Sequence, residues 1–455
     1  MKNLNSSRTL AARLFAAALL LASAASALAE VHYVDVNSTN ATPPYTNWAT
    51  AATNIQDAVD AAVAGDEIVV TNGLYATGGR ATVSDSTLNR VVVDKPLSIR
   101  SVNGSDSTII KGGLNIRCVY LTNGASLSGF TLTRAFLDIS SGGGAWGGTL
   151  NNCTLTRNSV WGNGGGALYS TLNNCVLTRN SSGVRFLCCD NFNATGGGAA
   201  HCTLNNCTLN GNWTVGGLPW GGGGGAYGGD LNNCIVYFNS RRSTFMGTDF
   251  FTEDNYGGYA GLHNCCTTRN PNDFRIYIIT NAPLFVDTNG WANLRLQSNS
   301  PCINAGYNSY ATNATDLDGN PRIAGGTVDI GAYEFQSPAS MISYAWLQQF
   351  NLPINPSTDT ADPDGDGVNN YHEWLAASDP TNPLSSPAQL TIIPSGTDVI
   401  LMWSTNAIGF TLQSTTNLSS PAVWTSNSPA PFVIGAQNVV TNSLAGPQQF
   451  YRLSW

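Results

Sequence analysis

The chain is poor in charge. Only 11% of its 455 residues are Asp, Glu, Lys or Arg. Setting aside Lys2, Arg8 and Arg13 near the start, 17 basic residues face 28 acidic ones, a net charge of −11, and the lysines left are Lys95 and Lys111. Nucleic-acid binders need basic surface, so that partner class is excluded. Long apolar runs are also scarce. The run at 14–21 is too short to span a bilayer. It follows three cations and precedes the small residues Ala27-Leu28-Ala29, which reads as a secretory signal cut after Ala29. No later run approaches the ~20 residues of a membrane helix, so the mature chain is expected to lack one.

Gly, Asn, Ser and Thr are abundant instead, a composition suited to β-structure with many tight corners. All 11 cysteines fall between residues 118 and 302. In an exported chain an odd number leaves at least one thiol unpaired or bonded to another molecule.

The middle of the sequence repeats itself. "GGGAWGGTLNNCTLTRNS" (142–159) is followed by "GGGALYSTLNNCVLTRNS" (164–181), "GGGAAHCTLNNCTLNGNW" (196–213) and "GGGAYGGDLNNCIVYFNS" (223–240). The cysteines Cys153, Cys175, Cys207, Cys234 and Cys265 recur at spacings of 22, 32, 27 and 31 residues. Periods of this size mean a solenoid. Cys175 and Leu177 alternate with Val176 and Thr178, and Leu172 rejoins that alternation only across a corner at Asn173-Asn174. Short strands and corners without helical periodicity predict a β-helix with about one coil per copy. Each repeated letter is then one rung of a column with a spacing of about 4.8 Å. Cysteine fills an inward rung; an interior thiol stack is favoured over metal or redox chemistry, and neighbouring rungs are near enough for some disulfides. Asn152, Asn174, Asn206, Asn233 and Asn264 form one amide column. Asn158, Asn180, Asn212, Asn239 and Asn270 form another, read as the outer one. Arg134, Arg157, Arg179 and Arg269 recur just before the latter, with Gly211 and Phe238 interrupting. Such a column needs counter-anions: an acidic glycan, Asp138 and Asp190, or solvent, with solvent and local pairing favoured.

The unequal gaps come from insertions at one corner: 181–195, 213–222 and 240–256. One-sided insertions in repeat proteins often mark the binding face. These carry Phe186, Phe192, Trp213, Trp220, Phe245, Phe250, Phe251 and Tyr256, with Trp161 at the matching place of a shorter coil. Aromatic faces beside polar groups suit the apolar faces of sugar rings, so Trp161, Trp213, Trp220, Phe250 and Tyr256 are the carbohydrate-contact candidates. The alternative is that the loops pack on one another as a lid.

The start of the solenoid needs a cap. In "TNIQDAVDAAVAG" (53–65), Ile55, Ala58, Val59 and Ala62 share a helical face, Thr53 and Gln56 have capping-box spacing, and Gly65 can end the helix. "DEIVVTNGLYA" then opens β-structure. Together with the coils this resembles the right-handed parallel β-helix proteins of the pectate-lyase-like superfamily over roughly 31–336, and the repeats also resemble those of autotransporter-like surface proteins. Residues 300–335, through Pro301, Gly306, Asp316, Asp318, Gly319, Pro321, Arg322, Asp329, Gly331 and Glu334, resemble the closing segment of choice-of-anchor Q proteins, which implies an exported bacterial β-helix. Asn304 departs from that pattern, standing where an aspartate is expected. The acids there are expected to pair with Arg322 and cap backbone groups, rather than to bind calcium or complete catalysis.

Pectin-degrading hydrolases of this scaffold use clustered aspartates, a Gly-His-Gly element and a basic pair, none of which appears. His201 and His263 are expected to pack within coils. A lyase needs carboxylates for calcium and a base. Asp249, Glu253 and Asp254, with Arg241 or Arg242, are the weak catalytic candidates; a solvated charged loop is the alternative.

"DPDGDGVNNYHE" (362–373) places Asp362, Asp364, Asp366, Val368, Asn370 and Glu373 at positions 1, 3, 5, 7, 9 and 12 of a calcium loop, with Gly367 at 6. Standing alone, the loop resembles dockerin-like and thrombospondin type 3-like repeats, and Asn369 departs from the apolar residue of paired EF-hands. A short helix is expected after it, stopped by Asp379-Pro380. Ca2+ is the expected cofactor, stiffening a linker. Residues 388–455 read as a small β-sandwich resembling fibronectin type III-like modules.

The predicted organisation is thus all-β: a signal at 1–29, a cap and first coils at 30–112, a right-handed parallel β-helix at 113–336, a calcium-loop linker at 337–387 and a β-sandwich at 388–455. The expected function is a secreted or cell-surface monomer that binds polysaccharide or acts as an adhesin. A polysaccharide lyase or glycosidase, and a structural stalk, are the alternatives.

Overall fold

The structure is a computed structural model that describes residues 29–82, 87–184, 193–215, 222–245, 248–269, 278–287, 292–385, 389–405, 410–419, 422–426, 430–435, 437–443 and 448–454. The expected signal at 1–29 lies almost wholly outside them. Among the described residues no helix is long and apolar enough to cross a membrane.

The first of two compact units, 1–281 with 309–320 and 331–333, is a right-handed parallel β-helix. A 15-stranded sheet, a 9-stranded sheet and a 6-stranded sheet form its three faces. The rungs are in register as the repeat requires. Leu150 pairs with Leu172, which pairs with Leu204, which pairs with Leu231. Leu155, Leu177 and Leu209 do the same on the second sheet. All of these leucines are buried, as are Cys153, Cys175, Cys207, Cys234 and Cys265. The column cysteines are free thiols, so no disulfide links these rungs. Their Sγ atoms accept backbone N–H bonds along the stack, as from Cys153 to Cys175 and from Cys175 to Cys207, both at 3.4 Å. Burial pushes the thiols of Cys175, Cys207, Cys234 and Cys265 well above the usual range, which makes them small hydrophobes and poor nucleophiles.

Asparagine serves at two different depths. Asn152, Asn174, Asn206, Asn233 and Asn264 turn the corner between the first two sheets at φ of 50–51°, a left-handed conformation that asparagine tolerates. The Asn158 column lies inside the solenoid, not outside it as the sequence suggested. Each amide there is satisfied from its neighbours. Asn180 Oδ1 accepts from the Asn158 backbone N–H and Nδ2 at 3.1 and 3.0 Å, while Asn180 Nδ2 donates to Leu155 O and Asn212 Oδ1. The rung after Asn239 is Asn255, which accepts from it; the expected Asn270 lies outside the described residues. Asn255 follows a long insertion and precedes no "LTRN" element, so the letters of the repeat gave no sign of it.

The glycine run has a packing cause. A Cβ on Gly166 would meet Gly198 O at 2.5 Å, so the coils approach there backbone to backbone. At the start of the stack α1 (Ile55–Ala61) buries Ile55, Ala58 and Val59 as expected. Its cap is Asn54, which accepts from Asp57 N, instead of the Thr53–Gln56 pair. Gln56 instead bonds across to Val92 in the coil above, and the helix stops at Ala62, before Gly65. In the same region Asp66 accepts from Glu30 N, Val63 N and His32 Nε2. Burial pushes its carboxyl up, but those donors outweigh it and hold it below the usual value.

The second unit comprises 282–308, 321–330 and 334–455. It contains α2 (Tyr344–Gln349), α3 (Pro356–Thr360) and α4 (Asn370–Ala376). The first two were not foreseen, since each spans less than two turns and shows no readable period. A β-sandwich follows, with antiparallel sheets of four and three strands around Val399, Leu401, Trp403, Leu412 and Val440.

Candidate functional site

Three places carry the chemistry named above. The first is the insertion side. Trp213 begins the strand Trp213–Val215 of the third sheet, paired between Ser181 and Ser240. The insertion at 240–256 is an antiparallel hairpin, Ser240–Phe245 against Thr248–Glu253, rather than an irregular loop. It brings Arg242 opposite Phe251, and both reach Trp213. The Arg242 guanidinium lies 5.3 Å from the indole centroid, and the Phe251 ring meets it edge-on at 6.2 Å. Phe250 and Phe251 are 50% and 59% exposed. Beside them a pocket of about 340 Å3 is lined by Tyr237, Phe238, Asn239, Ser240, Phe251, Thr252, Glu253 and Thr268.

Trp161, half-buried, continues the short strand Ser159–Val160 and donates its N–H to Leu137 O. Trp220 lies outside the described residues, as do Phe186, Phe192 and Asp190. Tyr256 is a correction. It sits on a strand paired with Ala226, and its ring is 4% exposed within the solenoid core, so it offers no face to a ligand.

The catalytic candidates lie on or just beyond the hairpin, and two of the acids are engaged locally. Glu253 Oε1 accepts from Asn255 Nδ2 and Thr268 Oγ1, buttressing the end of the asparagine ladder. Asp254 Oδ2 accepts from Gly222 N. Burial raises its carboxyl, an effect only partly offset by that bond and by the Arg241 charge. Arg241 pairs in the backbone with Thr252, and the backbone of Asp249 pairs with Thr244, farther out on the hairpin.

The second place was missed. His201 is exposed, not packed in a coil, and so is His263. His201 belongs to a row of rings on the outer face of the first sheet. Tyr120 stacks on Trp146 at 4.6 Å and 10° between planes. Trp146 meets Tyr169 at 6.1 Å, Tyr169 stacks on His201 at 5.6 Å, and His201 meets Tyr227 at 5.7 Å. These are five successive coils. Tyr169 and His201 occupy a corner at φ 54° and 50° that other coils fill with Gly147, Gly228 and Gly258. The missing Cβ of Gly228 leaves room for the His201 ring, which a Cβ would meet at 2.9 Å. No repeated letter signalled the row, because its rungs are Tyr, Trp, Tyr, His and Tyr drawn from two adjacent columns. The Arg134, Arg157 and Arg179 column stands at a different corner, exposed and left-handed at φ 55–58°.

The third place is the acidic loop in the second unit. The carboxylates of Asp362, Asp364 and Asp366 offer oxygens within 4.8 Å of one another. Asp362 accepts from Gly365 N and Gly367 N, with both glycines at positive φ. Asn369 has a local role: it caps α4 by accepting from His372 N. The helix thus begins inside the loop and ends at Ala377 in a left-handed cap, ahead of Asp379-Pro380. This brings Glu373 within reach of the three aspartate charges, with Asn370 one turn earlier on the same helix. Both are fully buried, and Asn370 Oδ1, Glu373 Oε2 and Asp364 Oδ2 have no hydrogen-bond partner. Asn370 Nδ2 donates to Thr358 O, which fixes the direction of its oxygen. Burial and the three aspartate charges push the Glu373 carboxyl up to about 7, against the pull of the Ser378 hydroxyl. Orphaned buried oxygens around a carboxylate cluster fit a hard, oxygen-seeking cation. Val368, half of the way round, is buried with its side chain away from solvent.

In the second unit the acids around Arg322 pair with it and cap backbone groups, as expected. Glu334 accepts from Ala324 N and Asp329 N and lies 3.6 Å from Arg322. Burial and the Asp329 charge raise its carboxyl to about 8, with Arg322 opposing. Asp329 caps Asn304 N and Phe335 N.

No family model and no curated protein matches this sequence. Among solved structures it is similar to a rhamnogalacturonan lyase, at 11% identity and TM-score 0.30, over 53% of this chain and 69% of that one. It is also similar to pectate lyase Pel9A, at 13% identity and TM-score 0.30, over 67% of this chain and 96% of that one. A likeness this remote assigns no chemistry, and the parallel architecture rests on the chain's own strand pairing.

Proposed function

We propose that the chain is an exported, surface or extracellular β-helix protein that binds polysaccharide on its insertion side and carries a Ca2+-stiffened loop near its C-terminal sandwich. The observation that carries this reading is a ring group beside a pocket: the half-buried Trp213 and the exposed Phe251 with Arg242, next to a pocket whose lining includes Ser240, Thr252 and Glu253. Sugar rings stack their apolar faces on such surfaces while hydroxyls bond at the rim. The resemblance of 300–335 to the closing segment of choice-of-anchor Q proteins supports export. The loop at 362–373 would hold calcium through Asp362, Asp364, Asp366, the Val368 carbonyl, Asn370 and Glu373, with affinity in the range of about 0.1–1 mM.

The competing enzymatic reading is a lyase or glycosidase using Glu253 or Asp254 with Arg241 or Arg242. It is the weaker one, because Glu253 and Asp254 are already engaged in holding Asn255 and Gly222. A panel of acidic and neutral polysaccharides, with and without chelator, separates the readings. Retention without shortened chains supports a binder, shortened chains an enzyme, and neither a stalk. For the loop, calorimetric titration with Ca2+ should give one site that Glu373→Gln weakens by at least tenfold; equal binding by the variant would remove calcium from this account.

A further inference from the structure

The row of rings on the first sheet is independent of the insertions, and nothing in the insertion side requires it. Beside it, from the Trp146 coil to the His201 coil, run uncharged hydrogen-bonding columns. Thr149, Thr171 and Thr203 pair rung to rung and face outward, as the burial of the alternate Leu150, Leu172 and Leu204 requires. Next to them Asn151, Asn173, Asn205 and Asn232 pass side-chain bonds of 2.8 Å from each Nδ2 to the Oδ1 of the rung before. On the far side runs the segment 309–320, held by Asn206 Nδ2 on Tyr310 O and Asn174 Nδ2 on Thr315 O, both at 2.7 Å. The polar columns therefore lie between a row of rings and a strap of chain.

The rings are not there by default of packing. Tyr169 is 58% exposed, and it and His201 hold left-handed backbone where glycine would be unstrained. Tyr259, in the next coil but two positions past the Gly257 that pairs with Tyr227, is fully exposed as well.

The geometry points to a second binding surface, a track on which an extended, uncharged polysaccharide lies along the row of Trp146, Tyr169, His201 and Tyr227, against whichever ring face or edge each turns outward, with its hydroxyls toward the threonine and asparagine columns. Rings on consecutive coils repeat at about 4.8 Å along the axis, close to the residue repeat of an extended pyranose chain. Charge selects the class. In the threonine column the next rung is the exposed Asp230, and the mature chain carries −11, so a polyuronate is repelled. Arg117, over Tyr120 at the end of the row, is buried and spent on Ser141 O, Gly142 O and Asn89 Oδ1. This inference shares the ligand class of the proposed function but none of its residues.

The test uses the full chain in calorimetric titrations with hexasaccharides of β-linked glucose, xylose and mannose, and with hexagalacturonate. Wild type should bind at least one neutral chain more tightly than hexagalacturonate. Tyr169→Gly/His201→Gly should weaken that binding by at least tenfold without lowering the thermal midpoint, since glycine is the unstrained residue at both positions. Trp213→Ala should leave it unchanged. Equal binding by the double variant, preference for the acidic chain, or binding of no neutral chain overturns the track. Loss of binding on Trp213→Ala alone would overturn it too, while leaving the proposed function standing; loss in the double variant alone would do the reverse.

Discussion

The two aromatic faces of the solenoid are built on different terms. On the insertion side each ring owes its place to local chain: a strand end for Trp213, a hairpin for Phe250 and Phe251. On the first sheet each ring owes its place to register, one rung above the last. A local site can be lost or gained with one loop. A registered row is as rigid as the stack beneath it and fails when the stack slips. The buried asparagine ladder sets that register, so it supports the row directly and the hairpin only at its Asn255 end.

The sharpest way to break this contrast is to damage the ladder. Asn180→Ala removes four side-chain bonds and leaves the Asn158 amide and Asn212 Oδ1 short of partners. A cost of about 2–4 kcal/mol is expected in denaturant unfolding. Neutral-chain binding should fall before binding at the pocket does. A variant as stable as wild type would mean the amides are not load carriers.

A smaller effect, shared by both faces, is expected at the start of the stack. Asp66→Asn should cost about 1–2 kcal/mol, because the carboxylate collects three donors. Its folded pKa is depressed, so its contribution is complete above the unfolded value and lost as pH falls through the folded one. Wild-type stability should therefore decline below about pH 4 and the variant's less steeply. Parallel pH curves would contradict the assignment.

Smaller again, Trp213→Ala should weaken insertion-side retention by a few-fold to about tenfold, the worth of one aromatic contact. Least of all should happen to the five column thiols. They should not react with a thiol reagent until the chain unfolds, since all five are fully buried and out of reach.

Much of the scaffold was legible from the sequence because repetition states register outright. "LNNC" fixed the inward leucine and cysteine, and the glycine run marked where backbones touch. The second asparagine column was placed on the wrong side because alternation fails at a left-handed residue, and Arg157 and Arg179 just before it are left-handed. Tyr256 looked like loop and was strand, since one short pairing with Ala226 decides it. The ring row was invisible for a related reason. Its members differ in type and shift by one position between coils, so no column of identical letters forms, and only the three-dimensional stack brings them together. In the acidic loop at 362–373 the spacing picked out the candidate ligands, while the orphaned oxygens of Asn370 and Glu373 depend on a helix starting at Asn370.

The most direct measurement is the affinity of wild-type protein for one neutral β-linked oligosaccharide series, from two sugars to eight. A track of rings on consecutive coils should gain affinity with each added sugar up to about five or six residues and then level off. Affinity already complete at the disaccharide would contradict it, placing neutral-sugar recognition in a pocket and leaving the ring row a feature of the fold alone.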